Sequence, residues 1–329
     1  MVAPDRFCNG AGAMTRILAL CGGVGGAKLA YGLSRVLAPG DLTIAVNTGD
    51  DFEHLGLLIC PDLDTVTYTL AEAENMAQGW GRDGESRQVL DEVARLGGED
   101  WFLLGDKDIA LHLLRRQMRD QGVGLTAVAR SLAQRLGVRH TILPMSDDPV
   151  RTIVETEEGT LAFQEYFVRR RCGPRVRGLR YDGAEKAKAS PALLEAFADP
   201  ALSGIIICPS NPYLSIDPML AISQIRQALA ARSVPALAVS PIVGGRALKG
   251  PAAKMMEELG VPVTSLAIAR HYGALIDGLL IDEEDRALLS EQSSGDPPLH
   301  VARTVMKSRE DRIALARDCL GLVERMRPL

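Results

Sequence analysis

The sequence predicts an α/β protein, a doubly wound and mostly parallel sheet with a smaller β-rich lobe inserted into it. Three observations predict this. Short apolar runs alternate with stretches of helical periodicity, which is the pattern of βα units. The polar breaks with the most unusual residues directly follow apolar runs, where the carboxyl ends of parallel strands would lie and where such sheets hold ligands. Between about Ser146 and Ala196 the alternation gives way to half-polar β segments around Glu158-Gly159.

In chain order, residues 16–21 (RILALC) form a buried strand, 22–26 a break and 27–37 a helix. Residues 42–47 (LTIAVN) are a second apolar strand, 64–76 a helix, and 101–105 (WFLLG) a strand followed by a helix over 110–119. A helix at 125–136 and a strand at 138–143 complete the first part. Segments 152–155 and 161–168 then read as a hairpin and 175–181 as a further strand, with charges on alternate positions as in a half-exposed antiparallel sheet. Strand–helix alternation resumes with strands at 204–208, 235–240 and 279–281 and helices at 218–231, 252–259 and 310–326. The expected organisation is a core of residues 14–145 and 197–329 with a lobe of 146–196 inserted in it.

Bulk properties narrow the function classes. The 329 residues suit one large domain with an insertion, or two domains. A net charge of -5 gives no general attraction to nucleic acid. The local basic run from Arg169 to Arg180 reads first as a solvated face. The six cysteines contain no CxxC pair, so no zinc ribbon or thioredoxin-type site is expected, and a reducing, cytoplasmic setting is. No apolar run reaches the roughly 18 residues of a membrane span. Residues 1–13 lack a signal-peptide pattern and are expected to be a disordered extension, or Met14 the true start.

Four breaks carry chemistry. The first is Gly22-Gly23-Val24-Gly25-Gly26-Ala27-Lys28, with four glycines in five positions at the first βα turn. Glycines let backbone N–H groups approach phosphate oxygens, and the helix start adds its dipole. Ala27 and Leu29 break the Walker A pattern, and Lys28 stands where a dinucleotide fingerprint needs its third glycine. The second break is Thr48-Gly49-Asp50-Asp51 with His54 nearby. Adjacent carboxylates facing a phosphate site suit a divalent cation shared with the phosphates, while an Asp-rich turn and ribose recognition are the competing readings. A lone histidine is more often structural, so His54 carries little weight. The third is Pro61-Asp62-Leu63-Asp64-Thr65, whose aspartates either cap the next helix or line a substrate. The fourth joins Pro209-Ser210-Asn211-Pro212 to Ser240-Pro241-Ile242-Val243-Gly244-Gly245, two proline-bracketed polar loops with hydrogen-bonding groups for a base or sugar and Lys249 as a cation nearby. Ser146 to Arg151 marks the entry to the lobe, with Arg151 a candidate partner of substrate charge.

Taken together and in order, these segments resemble the 2-phospho-L-lactate transferase (CofD/FbiA) family. The likeness also takes in Trp101 to Asp108 with its GDKD ending, Met145 to Thr152, and Pro241 to Pro251, and covers nearly everything from Met14 to about Asp285. The resemblance implies a Rossmann-like core with a smaller lobe, magnesium as cofactor, a homodimer, and a role in coenzyme F420 biosynthesis. It implies transfer of a phospholactyl-type group from a guanylated donor to the ribityl hydroxyl of the deazariboflavin Fo, with release of GMP. On that basis Gly22, Gly23, Val24, Gly25, Gly26 and Lys28 cradle the diphosphate. Asp50 and Asp51 bind the metal and act in catalysis. Ser210, Asn211, Pro241, Val243, Gly244 and Gly245 hold the guanosine, and Thr48, Asp62, Asp64 and Thr65 line the Fo side. The competing reading is a nucleotide-sugar-binding regulator of a related family sharing the glycine-rich opening. A nicotinamide-dependent oxidoreductase is disfavoured by Lys28. The acyl part of the donor, phospholactyl, phosphoenolpyruvyl or 3-phosphoglyceryl, is not legible in the sequence.

Overall fold

The computed structural model describes residues 16–248 and 250–327. The expectations for residues 1–13, for Met14 and for Lys249 lie outside the described residues. The strands are β1 (Arg16–Cys21), β2 (Leu42–Val46), β3 (Phe52–His54), β4 (Leu57–Ile59), β5 (Thr141–Pro144), β6 (Arg151–Thr156), β7 (Gly159–Ala162), β8 (Val176–Asp182), β9 (Leu202–Ile207), β10 (Ala236–Val239), β11 (Ile242–Val243), β12 (Arg246–Ala247), β13 (Gly278–Asp282) and β14 (Leu299–Ala302). The α-helices are α1 (Gly23–Val36), α2 (Pro61–Leu70), α3 (Gln88–Arg95), α4 (Asp106–Asp120), α5 (Leu125–Arg135), α6 (Pro191–Phe197), α7 (Asp217–Ala221), α8 (Ser223–Ala230), α9 (Ala252–Glu258), α10 (Ser265–Tyr272) and α11 (Arg309–Arg325).

Seven strands pair in parallel in the order β14-β13-β10-β9-β1-β2-β5. The chain winds outward from β1 through β2 to β5, returns at β9 and winds the other way, so the switch point lies between β1 and β9. The runs that form the central strands are apolar at every position because both faces are covered. Alternate residues of β1 divide between the layers. Ile17, Ala19 and Cys21 pack with Leu29, Leu33 and Leu315 of α1 and α11, and Leu18 and Leu20 pack with Ile225 and Ile268 of α8 and α10. Gly32 is required where α1 crosses α11, since a Cβ there would meet the Arg312 carbonyl at 1.9 Å.

The β-rich segment inside 146–196 is an antiparallel sheet in the order β7-β6-β8. Its hairpin turns at Glu157-Glu158, closed by Thr156 Oγ1 donating to the Gly159 carbonyl at 2.7 Å. Several expected elements differ. Residues 101–105 are not a strand; Phe102 and Leu104 pack with Ile59 and Ile109 in a small separate cluster. The helix expected at 64–76 is α2, which starts earlier on Pro61 and stops before Glu72, whose φ of 55° is left-handed. The strand expected over 161–168 stops at Ala162, and Glu165–Arg169 forms a π-helical turn instead. The helix expected at 218–231 is split at Ile222, whose extended ψ of 110° separates α7 from α8. No helix among the described residues is long and apolar enough to cross a membrane.

Candidate active site

A cavity of about 860 Å³ opens beyond the carboxyl ends of β1 and β9, at the switch point. Of the residues expected at a site, Gly22, Gly23, Val24, Gly25 and Lys28 line it, as do Asp50, Asp62, Asp64, Thr65, Ser210, Asn211 and Pro241. Gly26, Thr48, Asp51, Val243, Gly244 and Gly245 are not among its lining residues.

The glycine run does two jobs. Helix α1 already starts at Gly23, so the run is the helix's first turn rather than a free loop. The turn is pressed against the loop after β9. The Gly22 amide donates to Ser210 Oγ at 3.1 Å, and that hydroxyl donates to the Gly22 carbonyl at 2.8 Å. A Cβ on Gly25 would lie 2.4 Å from the Pro209 carbonyl oxygen, and one on Gly26 would lie 2.6 Å from Ser210 Oγ. Gly23 is the position that needs glycine for conformation, at φ +62. Its amide donates to the Asp62 carboxylate. The positive end of α1 therefore faces the cavity with no acid of its own in the first turn. Lys28 lies one turn in and donates to the Met306 carbonyl at 3.0 Å. Met306 belongs to a strap, residues 303–308, that leads from β14 to α11 and lines the cavity with Thr304 to Lys307. Asp282 holds its start, accepting from the Thr304 amide and hydroxyl at 2.8 and 3.1 Å.

Beside Ser210, Asn211 Oδ1 accepts from the Tyr213 and Leu214 amides, which leaves its Nδ2 buried without a partner. In the next loop only Ser240 and Pro241 reach the cavity. Gly244 and Gly245 form the tight turn between β11 and β12, both at positive φ, with the Gly244 amide held by Asp285 at 3.1 Å. Their glycine requirement comes from that hairpin.

Two groups of acids face the cavity, all buried except the half-buried Asp108. Asp50 and Asp62 form the first. Burial, then the charges of Asp62 and Asp51, push the Asp50 carboxyl well above the usual range, only partly offset by Asn47 and Thr152. Its Oδ1 has no hydrogen-bond partner. Burial pushes Asp62 up to about 6, against donors from Asn47 and Gly23, and Asn47 Nδ2 lies 3.0 Å from Asp62 Oδ2. The acid beside Asp50 in the cavity is thus Asp62. Asp51, its sequence neighbour, is not among the lining residues and interacts with Cys60 instead. Burial pushes it up to about 7 despite Arg151, Cys60 and Arg115. Thr48 is buried too, with an unpartnered hydroxyl. Neither Asp62 nor Asp64 is the N-cap of α2. Cys60 holds that position, and the acids sit in the first turn.

The second group is Asp64, Asp108 and His112. Arg115 pairs with Asp64 Oδ1, and Tyr68 donates its hydroxyl to Asp108 Oδ1. Burial raises Asp108, but His112, Tyr68 and Arg115 outweigh it and hold the carboxyl below its usual range. Apolar and aromatic side chains complete this part of the lining: Tyr68, Trp80, Phe102, and Phe163 and Phe167 from the inserted segment. The sequence reading passed over this wall and the strap; the GDKD ending of residues 105–108 was the one signal pointing at Asp108. His54 packs among Phe52, Trp101 and Phe102, outside the cavity lining. Arg151 Nη1 donates to the neighbouring Val150 carbonyl. In the basic run, Arg170 pairs with Glu158 and Arg180 with Asp182 on the exposed surface.

Comparison with known proteins follows the same motifs. The family described as "2-phospho-L-lactate transferase CofD" matches residues 17–317. A phosphoenolpyruvate transferase from Streptomyces griseus is 42% identical over 318 residues, covering 95% of this chain and 99% of its own. A 2-phospho-L-lactate transferase from Methanosarcina mazei is 39% identical over 266 residues, covering 81% and 86%. A solved structure of a UPF0052 family member from Bacillus halodurans is similar at a TM-score of 0.53 and 15% identity, over 94% of this chain and 90% of that one, which is a likeness of fold. With its motifs in order and the match running from β1 into α11, the chain belongs to the 2-phospho-L-lactate transferase CofD family and is a transferase enzyme.

Proposed function

We propose that this enzyme moves a phospholactyl-type group from a guanosine diphosphate-activated donor to the terminal ribityl hydroxyl of the deazariboflavin Fo, releasing GMP, in coenzyme F420 biosynthesis. The observation that supports this best is the make-up of the cavity at the switch point. It joins a helix N-terminus and an uncompensated acid pair to a wall of aromatic side chains, which suits a diphosphate at one end and a flat ring at the other.

The acid pair fits Mg2+. Asp50 Oδ1 is buried with no hydrogen-bond partner, and Asp62 is the largest charge acting on Asp50. Two buried carboxylates that repel each other ionise together only when a cation joins them. Asp50 and Asp62 would hold the ion, with Asp51 behind them, and bound Mg2+ would neutralise diphosphate charge. The first turn of α1, from Gly22 to Gly25, and Lys28 receive the diphosphate, and Gly26 permits the close contact with Ser210. Asn211, Pro241 and the strap from Thr304 to Lys307 enclose the guanosine. Val243, Gly244 and Gly245 support Pro241 from outside the cavity. Asp64, Thr65 and the aromatic wall take Fo, with Thr48 behind Asp50. The ribityl oxygen forms a new bond to the phosphorus carrying the acyl group. The bond from that phosphorus to the GMP phosphate oxygen breaks, GMP leaves with the electron pair, and the hydroxyl proton passes to an Asp50 oxygen. Such transfer needs positioning and charge neutralisation more than covalent help.

Relatives carry both the phosphoenolpyruvate and the phospholactate names at similar identity, so the donor is decided by competition. Purified protein with Fo and Mg2+ is given the phospholactyl, phosphoenolpyruvyl and 3-phosphoglyceryl donors in parallel, and GMP and product are followed by mass spectrometry. Transfer to Fo from any donor is the expected result, and the preferred one names the branch. No product from all three, with stable binding of a nucleotide sugar instead, replaces this reading with the regulatory one. We further propose a cytoplasmic homodimer, which sedimentation velocity tests.

A further inference from the structure

We infer that His112 and Asp64 form a hydrogen-bonding subsite that reads a carbonyl-plus-N–H edge of the acceptor's ring, and that Arg115 is the positioning residue that keeps this subsite free of metal. The inference rests on the proposed reading of the acceptor as a deazariboflavin, whose pyrimidinedione ring carries such an imide edge.

At first sight the cluster is a metal site. One ligand-type atom from each of Asp64, Asp108 and His112 lies within 4.8 Å of the other two. Arg115 argues against a cation there. A guanidinium only donates hydrogen bonds, and Arg115 Nη1 lies 3.1 Å from His112 Nδ1. Nδ1 must therefore hold the lone pair, and the ring proton sits on Nε2. An imidazole in that tautomer turns an N–H, not a lone pair, toward Asp108, and its lone pair lies on the side of Asp64, whose Oδ2 is 3.8 Å from Nδ1. The same guanidinium is ion-paired with Asp64 Oδ1, so the positive charge a metal would supply is already built into the chain.

Two buried polar atoms are left without partners, His112 Nε2 and Asp64 Oδ2. His112 is 1% exposed and Asp64 6%. The carboxylate oxygen facing Nε2 is Asp108 Oδ1, at 3.6 Å a long contact that lowers the Asp108 carboxyl but leaves the N–H short of a hydrogen bond. Both His112 and Asp64 line the cavity. A buried donor and a buried acceptor left unmade cost stability, and a ligand that satisfies both gains what they lack. The donor at Nε2 and the acceptor at Oδ2 match a ligand edge where a carbonyl adjoins an N–H. The surroundings ask for a flat ring behind that edge. Tyr68 sits one helical turn along α2 from Asp64, and Trp80 and Phe102 line the same cavity. The diphosphate end has the opposite character: among the described residues neither Asp50 nor Asp62 forms an ion pair, and their hydrogen-bond donors are neutral.

The test is direct binding, followed by quenching of deazaflavin fluorescence without donor. Fo is compared with its N3-methyl derivative, which keeps the ring and removes the N–H. Wild-type protein is expected to bind Fo at least about 30-fold more tightly, since a site built to hydrogen-bond rejects an analogue that lacks the group. Asp64→Ala is expected to bring the ratio close to one. The wild-type comparison needs no variant to fold. Equal binding of the two ligands by wild-type protein overturns the subsite while leaving Fo as acceptor. No binding of either ligand overturns the acceptor reading beneath it. Zn2+ uptake that survives Asp50→Asn and is lost in His112→Ala overturns the metal-free assignment.

Discussion

Asp50 with Asp62, both buried, and buried Asp64 with half-buried Asp108 are two pairs of acids on one cavity, and they handle charge in opposite ways. The second pair is compensated from within the fold. Arg115 holds Asp64, and Tyr68 and His112 face Asp108, whose carboxyl consequently sits below its usual range. Among the described residues the first pair is offset by the neutral donors of Asn47, Thr152 and the Gly23 amide, and both its carboxyls are pushed up. Asp62 and Asp64 are two residues apart in the first turn of one helix, about 200° around its axis. Identical side chains a turn's fraction apart thus acquire different chemistry. Burial of a carboxylate alone says little about function. Whether the fold brings a counter-charge distinguishes a place prepared for a cation from one prepared for neutral hydrogen bonds.

The contrast can be broken from the compensated side first. Arg115→Met leaves Asp64 as a buried, unpaired charge, and an unfolding free energy lower by about 3–5 kcal/mol is expected by urea titration. A loss below about 1 kcal/mol, the range of an exposed pair, would show that Arg115 is not the counter-charge. From the uncompensated side, Asp50→Asn is expected to lower GMP release about 10²–10³-fold, the scale of removing one preorganised electrostatic group. The thermal midpoint of the metal-free variant should not fall, because a repulsive charge has gone. Full magnesium-dependent turnover in this variant sinks the assignment of Asp50.

Acidity sharpens the same comparison. Burial pushes Asp51 up to about 7 and Asp62 up to about 6. An acid with a raised folded pKa binds more protons folded than unfolded. Metal-free stability therefore falls as pH rises from about 4, the unfolded value, through the folded values, and the loss is complete above them. Asp62 alone gives a loss of about 3 kcal/mol, and Asp51 adds to it. Mg2+ should restore it at pH 8 and do little at pH 5, as read from thermal melts with and without chelator. A flat profile removes the electrostatic penalty assigned to the first pair. The smallest effect belongs to Tyr68→Phe, which deletes one donor to Asp108 and should cost about 1 kcal/mol with no change in magnesium dependence.

Much of the architecture was legible. The apolar runs at 16–21, 42–47 and 204–208 became β1, β2 and β9 because central strands of a parallel sheet are buried on both faces and need no alternation. The apolar run at 101–105 misled, since a short apolar stretch reads the same whether it enters a sheet or packs as a loop against Ile59 and Ile109. At the site, the glycine run and the loops after β1, β2 and β9 reach the cavity because topology puts strand ends there. The strap and the α4 face did not stand out. Thr304 to Lys307 carries no motif, and His112 lies in a helix whose polar residues look like a solvated face.

The sequence by itself determined the alternation of the central strands with helices and the edge at which a ligand sits, because burial patterns and glycine turns are local properties of the chain. The tertiary structure decided which acids share that edge and which carry a counter-charge. Those facts depend on distances between remote residues: Arg115 meets Asp64 across 51 positions, and Lys28 meets the Met306 carbonyl across 278. Coulomb energy and hydrogen bonding depend on separation in space, so no spacing along the chain could have stated them in advance.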